Sequence, residues 1–318
     1  EGNHGRIGVI FQHGSIFVLI LGLILFSILY ILSDHLLLWL IDSPNIYDAS
    51  LEYIKYRQFG IIFVCFNFLY RALYVGISNT KVITYSTIIM AVVNIILDYC
   101  LIFGNFGFPE MGLGGAALAS FCAEVSAFTF FTVYSYITLR NKDYGMFKLH
   151  RLESELMGRI LKLATPTMIQ KLFSFSVWFI FFILIEKMGE TATGISSIVR
   201  SVYMILITPC FAFATTTNTV VSRIIGEGHS DQVFSTINKI LKNCLLCTIP
   251  IMILVAIFPT QIARIYTDDL NLAQLVVPSI YVICFGTIFQ GIGNAYFEAV
   301  SGTGNTSAAL YLEAVILV

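Results

Sequence analysis

Asn94 and Asp98 stand four residues apart inside a long apolar stretch. On a helix that spacing puts both side chains on one face. A carboxylate beside an amide oxygen is a compact ligand set for a proton or a small hard cation such as sodium. The bland alternative is a carboxyl that only ties helices together. The next apolar stretch opens with Gly112-Leu113-Gly114-Gly115-Ala116-Ala117, small residues that let another helix approach to backbone contact. Ser120 follows on the face of Ala116, with a hydroxyl able to complete a site near Asp98. Its local alternative is a bond to the carbonyl four residues back in its own helix. Glu124 lies one turn further along that face.

A second polar set occupies the later half of the chain. Gln170, Lys171 and Ser174 cluster in one apolar stretch, and Thr215-Thr216-Thr217-Asn218 in the next. Gln290, Asn294 and Glu298 follow at i, i+4 and i+8, so they form one polar stripe. Such a stripe either lines a cavity or bonds neighbouring helices together. For Lys171 the alternative is an ammonium snorkelling to the membrane face. Ionisable groups at membrane depth are expensive, which makes each of these a candidate for lining a transport route.

The elements that must position these groups are membrane-spanning helices. The 318 residues are 57% hydrophobic and 12% charged, against about 25% charged in soluble domains; mean hydropathy is +0.84. Eight stretches are long enough to span, at about 9–33, 54–77, 82–104, 112–138, 164–187, 195–221, 240–262 and 274–300, and a ninth begins near 306. Runs such as Phe17 to Leu29 lack the period-two alternation of a barrel. Pro166, Pro209 and Pro250 fall within spans, where they should kink or locally open the helices.

Charge patterning orients the spans. Arg6, Lys81, the connector bearing Arg140, Lys142, Lys148, Arg151, Arg159 and Lys162, and the loop bearing Arg223, Lys239 and Lys242 fall on one side. Asp42, Asp48, Glu52, Glu110, Glu190, Asp268 and Asp269 fall on the other, with Lys55, Lys187 and Arg264. Basic short loops stay cytoplasmic, so the chain starts inside. No basic block suggests nucleic acid, and no Gly-x-x-x-x-Gly-Lys loop supports an ATP-driven pump. The seven cysteines lie in apolar stretches; Cys244 and Cys247 have C-x-x-C spacing without a partner pair, which favours packing over metal or redox use. No cofactor is expected.

The chain repeats itself at a constant offset of 226 residues: Asp42 falls on Asp268, Phe59-Gly60 on Phe285-Gly286, Tyr70 on Tyr296, and Gly76-x-x-Asn79-Thr80 on Gly302-x-x-Asn305-Thr306. An offset crossing six spans returns each helix in the same orientation, the parallel kind of transporter repeat. The fold class expected is therefore all-α, a polytopic bundle of two pseudo-symmetric six-helix lobes, with the third to eleventh of twelve helices present. The expected divisions are an N-terminal lobe at 1–139, a cytoplasmic connector at 140–162 and a C-terminal lobe at 163–318.

Asn94-Ile-Ile-Leu-Asp98, Ile102-Phe103-Gly104 and Met111-Gly-Leu-Gly-Gly-Ala-Ala-Leu-Ala-Ser120 resemble the fifth and sixth helices of multidrug and toxic compound extrusion (MATE) transporters. The resemblance continues through Ala164-Thr-Pro166, Arg200-Ser-Val-Tyr203, Pro209 to Asn218, Ile224-Ile-Gly226 and Ser301-Gly-Thr-Gly-Asn-Thr306. It implies an antiporter of a bacterial plasma membrane, monomeric, exporting amphipathic or cationic organic compounds in exchange for sodium or protons. In one branch the coupling site joins a first-helix aspartate to an Asn-x-x-x-Asp pair, matched by Asn94 and Asp98, and to a small or hydroxyl residue, matched by Ser120 with Ala116 one turn before. In another branch two carboxylates occupy the C-terminal lobe; the nearest matches are Ser174 and Gln290, so no carboxylate site is expected there. The rival function is a flippase of lipid-linked or polyprenyl substrates, which needs a more cationic cleft than Lys171 and Arg200 supply.

Overall fold

The computed structural model describes residues 5–40, 44–139, 144–146 and 150–317. Asp42, Arg140, Lys142 and Lys148, used above for the repeat and the charge pattern, lie outside the described residues, as does the side chain of Glu190. The chain divides between Met157 and Gly158 into two compact units. Among the described residues, seven helices are long and apolar enough to cross a membrane, or eight when one bent pair counts as a single span.

The first unit holds α1 (Gly5–Leu40), α2 (Pro44–Arg57), α3 (Gly60–Gly76), α4 (Lys81–Ile102) and α5 (Gly112–Leu139). The second holds nearly all of α6 (Ser154–Glu186), then α7 (Glu190–Gly226), α8 (Val233–Ile257), the short α9 (Pro259–Ala263), α10 (Leu270–Gly302) and α11 (Thr306–Leu317). Several helices outrun their apolar stretches. At about 1.5 Å per residue the 36 residues of α1 extend beyond a hydrocarbon layer of about 30 Å. The surplus is flanking sequence carried on as helix, Asp34-His35 followed by an apolar run to Leu40 in α1, and α6 opens inside the connector read from the sequence. Pro166, Pro209 and Pro250 all lie within helices that continue past them.

Two expected single spans are interrupted. The stretch at 54–77 breaks at Gln58-Phe59, and α2 and α3 meet at a 53° bend. The stretch at 240–262 stops at Ile257, because Pro259 has no N–H to donate and steers Phe258 out of helical geometry (φ −119°, ψ 46°).

Burial is sparse where lipid or further protein is the solvent. Only 6% of the apolar window is buried in α1 and in α6, against 33% in α5 and α7. The first unit centres on Tyr70, Tyr74, Val82, Phe131 and Leu139, with Tyr70 and Phe131 stacked at 5.4 Å between ring centroids. Both tyrosines find hydroxyl partners on α5, Tyr74 at 2.8 Å from Ser135 and Tyr70 at 3.2 Å from Thr132, as buried phenols require. The second unit centres on α7 against α10, the most extensive helix pair, with Ile198, Val202 and Leu206 meeting Val276, Ile280 and Cys284.

The repeated Gly-x-x-Asn-Thr motif shares two backbone hydrogen bonds and a left-handed residue in both places. Ile77 N donates to Leu73 O and Ser78 N to Val75 O; 226 residues on, Thr303 N donates to Ala299 O and Gly304 N to Ser301 O. Both turns pass through the left-handed region, with φ +57° at Ser78 and +84° at Gly304. Glycine adopts that conformation freely and serine does not. Ser78→Gly is therefore expected to stabilise the first unit by about 1 kcal/mol, measured as a raised thermal unfolding midpoint in detergent. The repeat diverges at its other matched motif: Phe59-Gly60 lies at a helix break, whereas Phe285-Gly286 lies within continuous α10.

Candidate functional site

α4 and α5 approach closely because α5 starts with glycine. A Cβ at Gly115 would lie 2.6 Å from the Leu101 carbonyl oxygen, so no larger residue fits without moving backbone. The preceding turn is fastened at Leu101 too, whose carbonyl accepts from Met111 N at 2.8 Å. This contact sets the register that brings Asn94 to Ser120, with Nδ2 donating to Oγ at 3.5 Å. Ala116 lies one turn before Ser120, between the glycine contact and the hydroxyl. Gly115→Ala is expected to cost about 2 kcal/mol by overpacking and to lower the thermal midpoint. Gly293→Ala, where nothing lies within 4 Å of the added carbon, is the control expected to leave it unchanged.

Asp98 is half-buried, and its Oδ1 is enclosed without a hydrogen-bond partner. A buried carboxyl oxygen without a donor is a costly arrangement, and a proton, a cation or water at that oxygen relieves it. The three residues Asn94, Asp98 and Ser120 thus present amide, carboxyl and hydroxyl oxygens from two facing helices. Among the described residues no group of three or more His, Cys, Asp or Glu side chains forms a metal cluster. A sodium ion here would therefore rest on one carboxylate with neutral oxygens.

Glu124 does something else. Arg57, closing α2, grips it with two bonds, Nη1 to Oε2 at 2.8 Å and Nη2 to Oε1 at 2.7 Å. The Glu124 side chain is 12% exposed and the Arg57 side chain 33%. Gly60 makes room for the pair, since a Cβ there would lie 2.5 Å from Glu124 Oε2 and 2.6 Å from Arg57 Nη1. Asn67 Nδ2 donates to the Glu124 carbonyl at 3.1 Å. Both carboxylate oxygens are thereby engaged at the α2–α3 bend. Arg57 was not singled out in the sequence, and nothing local marks it, because its partner is 67 residues away.

In the second unit, two of the three stripe residues on α10 bond to α7. Tyr203 donates to Gln290 Oε1 at 2.7 Å, and Asn218 Nδ2 to Glu298 Oε2 at 2.9 Å. Between them, Asn294 Nδ2 is enclosed without a partner. Thr215, Thr216 and Thr217 each donate to a carbonyl of their own helix at 2.9 Å. Lys171 is exposed on α6, and the Arg200 guanidinium lies 4.7 Å from the centre of the Phe182 ring. Gln170 is buried, and its carbonyl accepts from Ser174 at 3.2 Å. Ser174 also donates to Glu313 on α11. Glu313 is the second residue missed in the sequence; its signal was a lone acid inside the final apolar run. Cys244 is buried with Cys210 around the Thr248 hydroxyl, while Cys247 is exposed, and all seven cysteines are free.

Long apolar helices, two compact units and a 226-residue repeat define a polytopic integral membrane protein with a transporter fold. The chain belongs to the MatE family, whose model matches residues 1–100 and 166–318. It is 28% identical over 265 residues to the probable multidrug resistance protein NorM of Thermotoga maritima, covering 82% of this chain and 56% of that protein. The probable multidrug resistance protein NorM of Agrobacterium fabrum is 27% identical over 268 residues, covering 81% and 56%. The chain thus spans about half the length of these curated relatives. In fold it matches a multidrug resistance MATE family transporter in an outward-facing conformation, with TM-score 0.87 at 18% identity over 96% of this chain and 68% of that one. A MOP superfamily transporter from Pyrococcus furiosus matches with TM-score 0.87 at 18% identity, covering 97% and 68%. The all-α two-lobed expectation agrees with these folds.

Proposed function

We propose that the full-length protein is a secondary antiporter, exporting amphipathic or cationic organic compounds in exchange for sodium or protons by alternating access. The observation that carries this reading is the enclosed, unpartnered Oδ1 of Asp98 beside the Asn94–Ser120 contact. In a family member, an acid left without a fixed partner is poised to take up and release a proton or cation, whereas Glu124, already held twice by Arg57, is not. On this reading Asp98 carries the charge, Asn94 and Ser120 are neutral ligands, and Ala116 keeps the approach small. Gln290, Asn294 and Glu298 line the substrate route only where their bonds to α7 open. The 1–139 and 163–318 divisions correspond to the two moving lobes, and the setting is a bacterial plasma membrane with the protein as monomer. A flippase reading needs free cations along the route, and Arg200 is instead placed over an aromatic ring.

The deciding experiment is efflux of a fluorescent organic cation by full-length protein in liposomes, with sodium and pH gradients imposed separately. Efflux driven by one gradient and abolished by collapsing it is the expected result. Gradient-independent movement of substrate would overturn antiport.

A further inference from the structure

The geometry points to Glu313 as a second proton-exchanging carboxyl, seated in the second unit and held by Ser174 across the α6–α11 contact. The inference deepens the antiport reading and rests on it, but uses different residues from Asp98.

Ser174 is placed between two acceptors. Its Oγ lies 3.2 Å from the Gln170 carbonyl oxygen, one turn back on α6, and also bonds Oε1 of Glu313 on α11. A hydroxyl has one proton to give and lone pairs to receive. With Glu313 charged, Ser174 donates to the carboxylate and leaves the Gln170 carbonyl to its helical bond alone. With Glu313 protonated, the acid donates to Ser174 Oγ, and the serine proton turns to the Gln170 carbonyl. One proton taken from water reverses the direction of the chain Gln170–Ser174–Glu313 without breaking it. The same proton leaves to water when the chain turns back. Atoms and charge balance without any further reactant.

The surroundings favour a proton as the group that balances the charge. Glu313 lies in an apolar helix and is half-buried, and among the described residues no ion pair joins it to a lysine or arginine. A bare carboxylate at membrane depth is penalised unless it is paired or neutralised. Among the described side chains, the titratable and charged groups on the helices against it are Glu155, Arg159, Lys162 and Lys171 on α6, Tyr281, Cys284, Tyr296 and Glu298 on α10, and Tyr311 on α11 itself. Of these, Lys171 is exposed, Glu298 receives Asn218, and Tyr296 reaches Asn238. α6 is sparsely buried, with 6% of its apolar window enclosed, so a polar bond to α11 is a large share of what fixes it. A proton that redirects this bond therefore acts on a helix with little else holding it.

The test is pH-difference infrared spectroscopy on full-length protein in sodium-free lipid nanodiscs, in an Asp98→Asn background that removes the other candidate carboxyl. The expected result is a protonated-carboxyl C=O band that grows as pH falls, is lost in Glu313→Gln, and is retained but shifted in Ser174→Ala. Carbodiimide modification of the unsubstituted protein, read by peptide mass, should label Glu313 at low pH and spare it at high pH; this arm needs no variant to fold. A titrating band unchanged by Glu313→Gln, or unmoved by Ser174→Ala, would overturn the inference, as would pH-independent labelling. Efflux by the unsubstituted protein, which keeps Asp98, separates the two readings: a normal Glu313 band with no gradient-driven efflux sinks antiport, and efflux without the band sinks only the Glu313 site.

Discussion

Asp98→Asn is expected to abolish gradient-driven efflux while leaving the full-length protein folded. Asparagine keeps the size and reach of the side chain but holds no charge and exchanges no proton. The enclosed Oδ1 has no bond to lose in the described structure, so folding gives little away. Removing a charged ligand contributes on the order of 1.5–3 kcal/mol, or about a tenfold to hundredfold loss of ion affinity. Asn94→Ala should weaken coupling less, because a neutral ligand goes and the charge stays. Ser120→Ala should be milder still, since its 3.5 Å contact with Asn94 is already long and water can replace the hydroxyl. If Asp98 only tied helices together, all three substitutions would lower folded yield and spare coupling in the protein that survived. Efflux at equal folded protein, with each gradient imposed in turn, decides between these outcomes. Full gradient dependence in Asp98→Asn would remove Asp98 from the coupling site.

What was legible in the sequence was whatever depends on local chemistry. The glycine and alanine run at 112–117 announced a close helix approach, and Gly115 against the Leu101 carbonyl is that approach. The Gly-x-x-Asn-Thr repeat announced equivalent turns, and both share two backbone hydrogen bonds and a left-handed residue at matching positions. The i, i+4, i+8 stripe at Gln290, Asn294 and Glu298 left cavity and glue both open; Tyr203 and Asn218 bond its two ends to α7. What was not legible depended on partners far along the chain. The break at Gln58-Phe59 follows no proline, and Arg57 acquires its meaning only from Glu124. Ser174 looked like the place where a carboxylate was absent, because the acid beside it comes from α11, 139 residues on.

Glu124→Gln is expected to destabilise the first unit by about 2–3 kcal/mol, the other large effect. Breaking a buried ion pair by neutralising one partner costs about 3–5 kcal/mol, because the remaining charge is left enclosed and unmatched. The figure is discounted here because the Arg57 side chain is 33% exposed and water offsets part of the loss. The geometry around the pair permits little relief: Gly60 leaves space for the two charged groups and nothing larger. Arg57→Lys should fall between wild type and Glu124→Gln, since an ammonium cannot reproduce the two parallel bonds to Oε1 and Oε2. The double change Arg57→Met with Glu124→Leu should recover most of the loss, because it removes both charges together and restores apolar contact at the bend. Thermal unfolding midpoints of the four proteins in one detergent test this ranking, and efflux at equal folded protein supplies the second readout. A Glu124→Gln protein as stable as wild type but defective in efflux would place Glu124 on the substrate route instead. Loss of stability with efflux per folded molecule preserved would identify the Arg57–Glu124 pair as the fastening between the α2–α3 bend and α5, and leave the coupling role with Asp98, which takes no part in that pair.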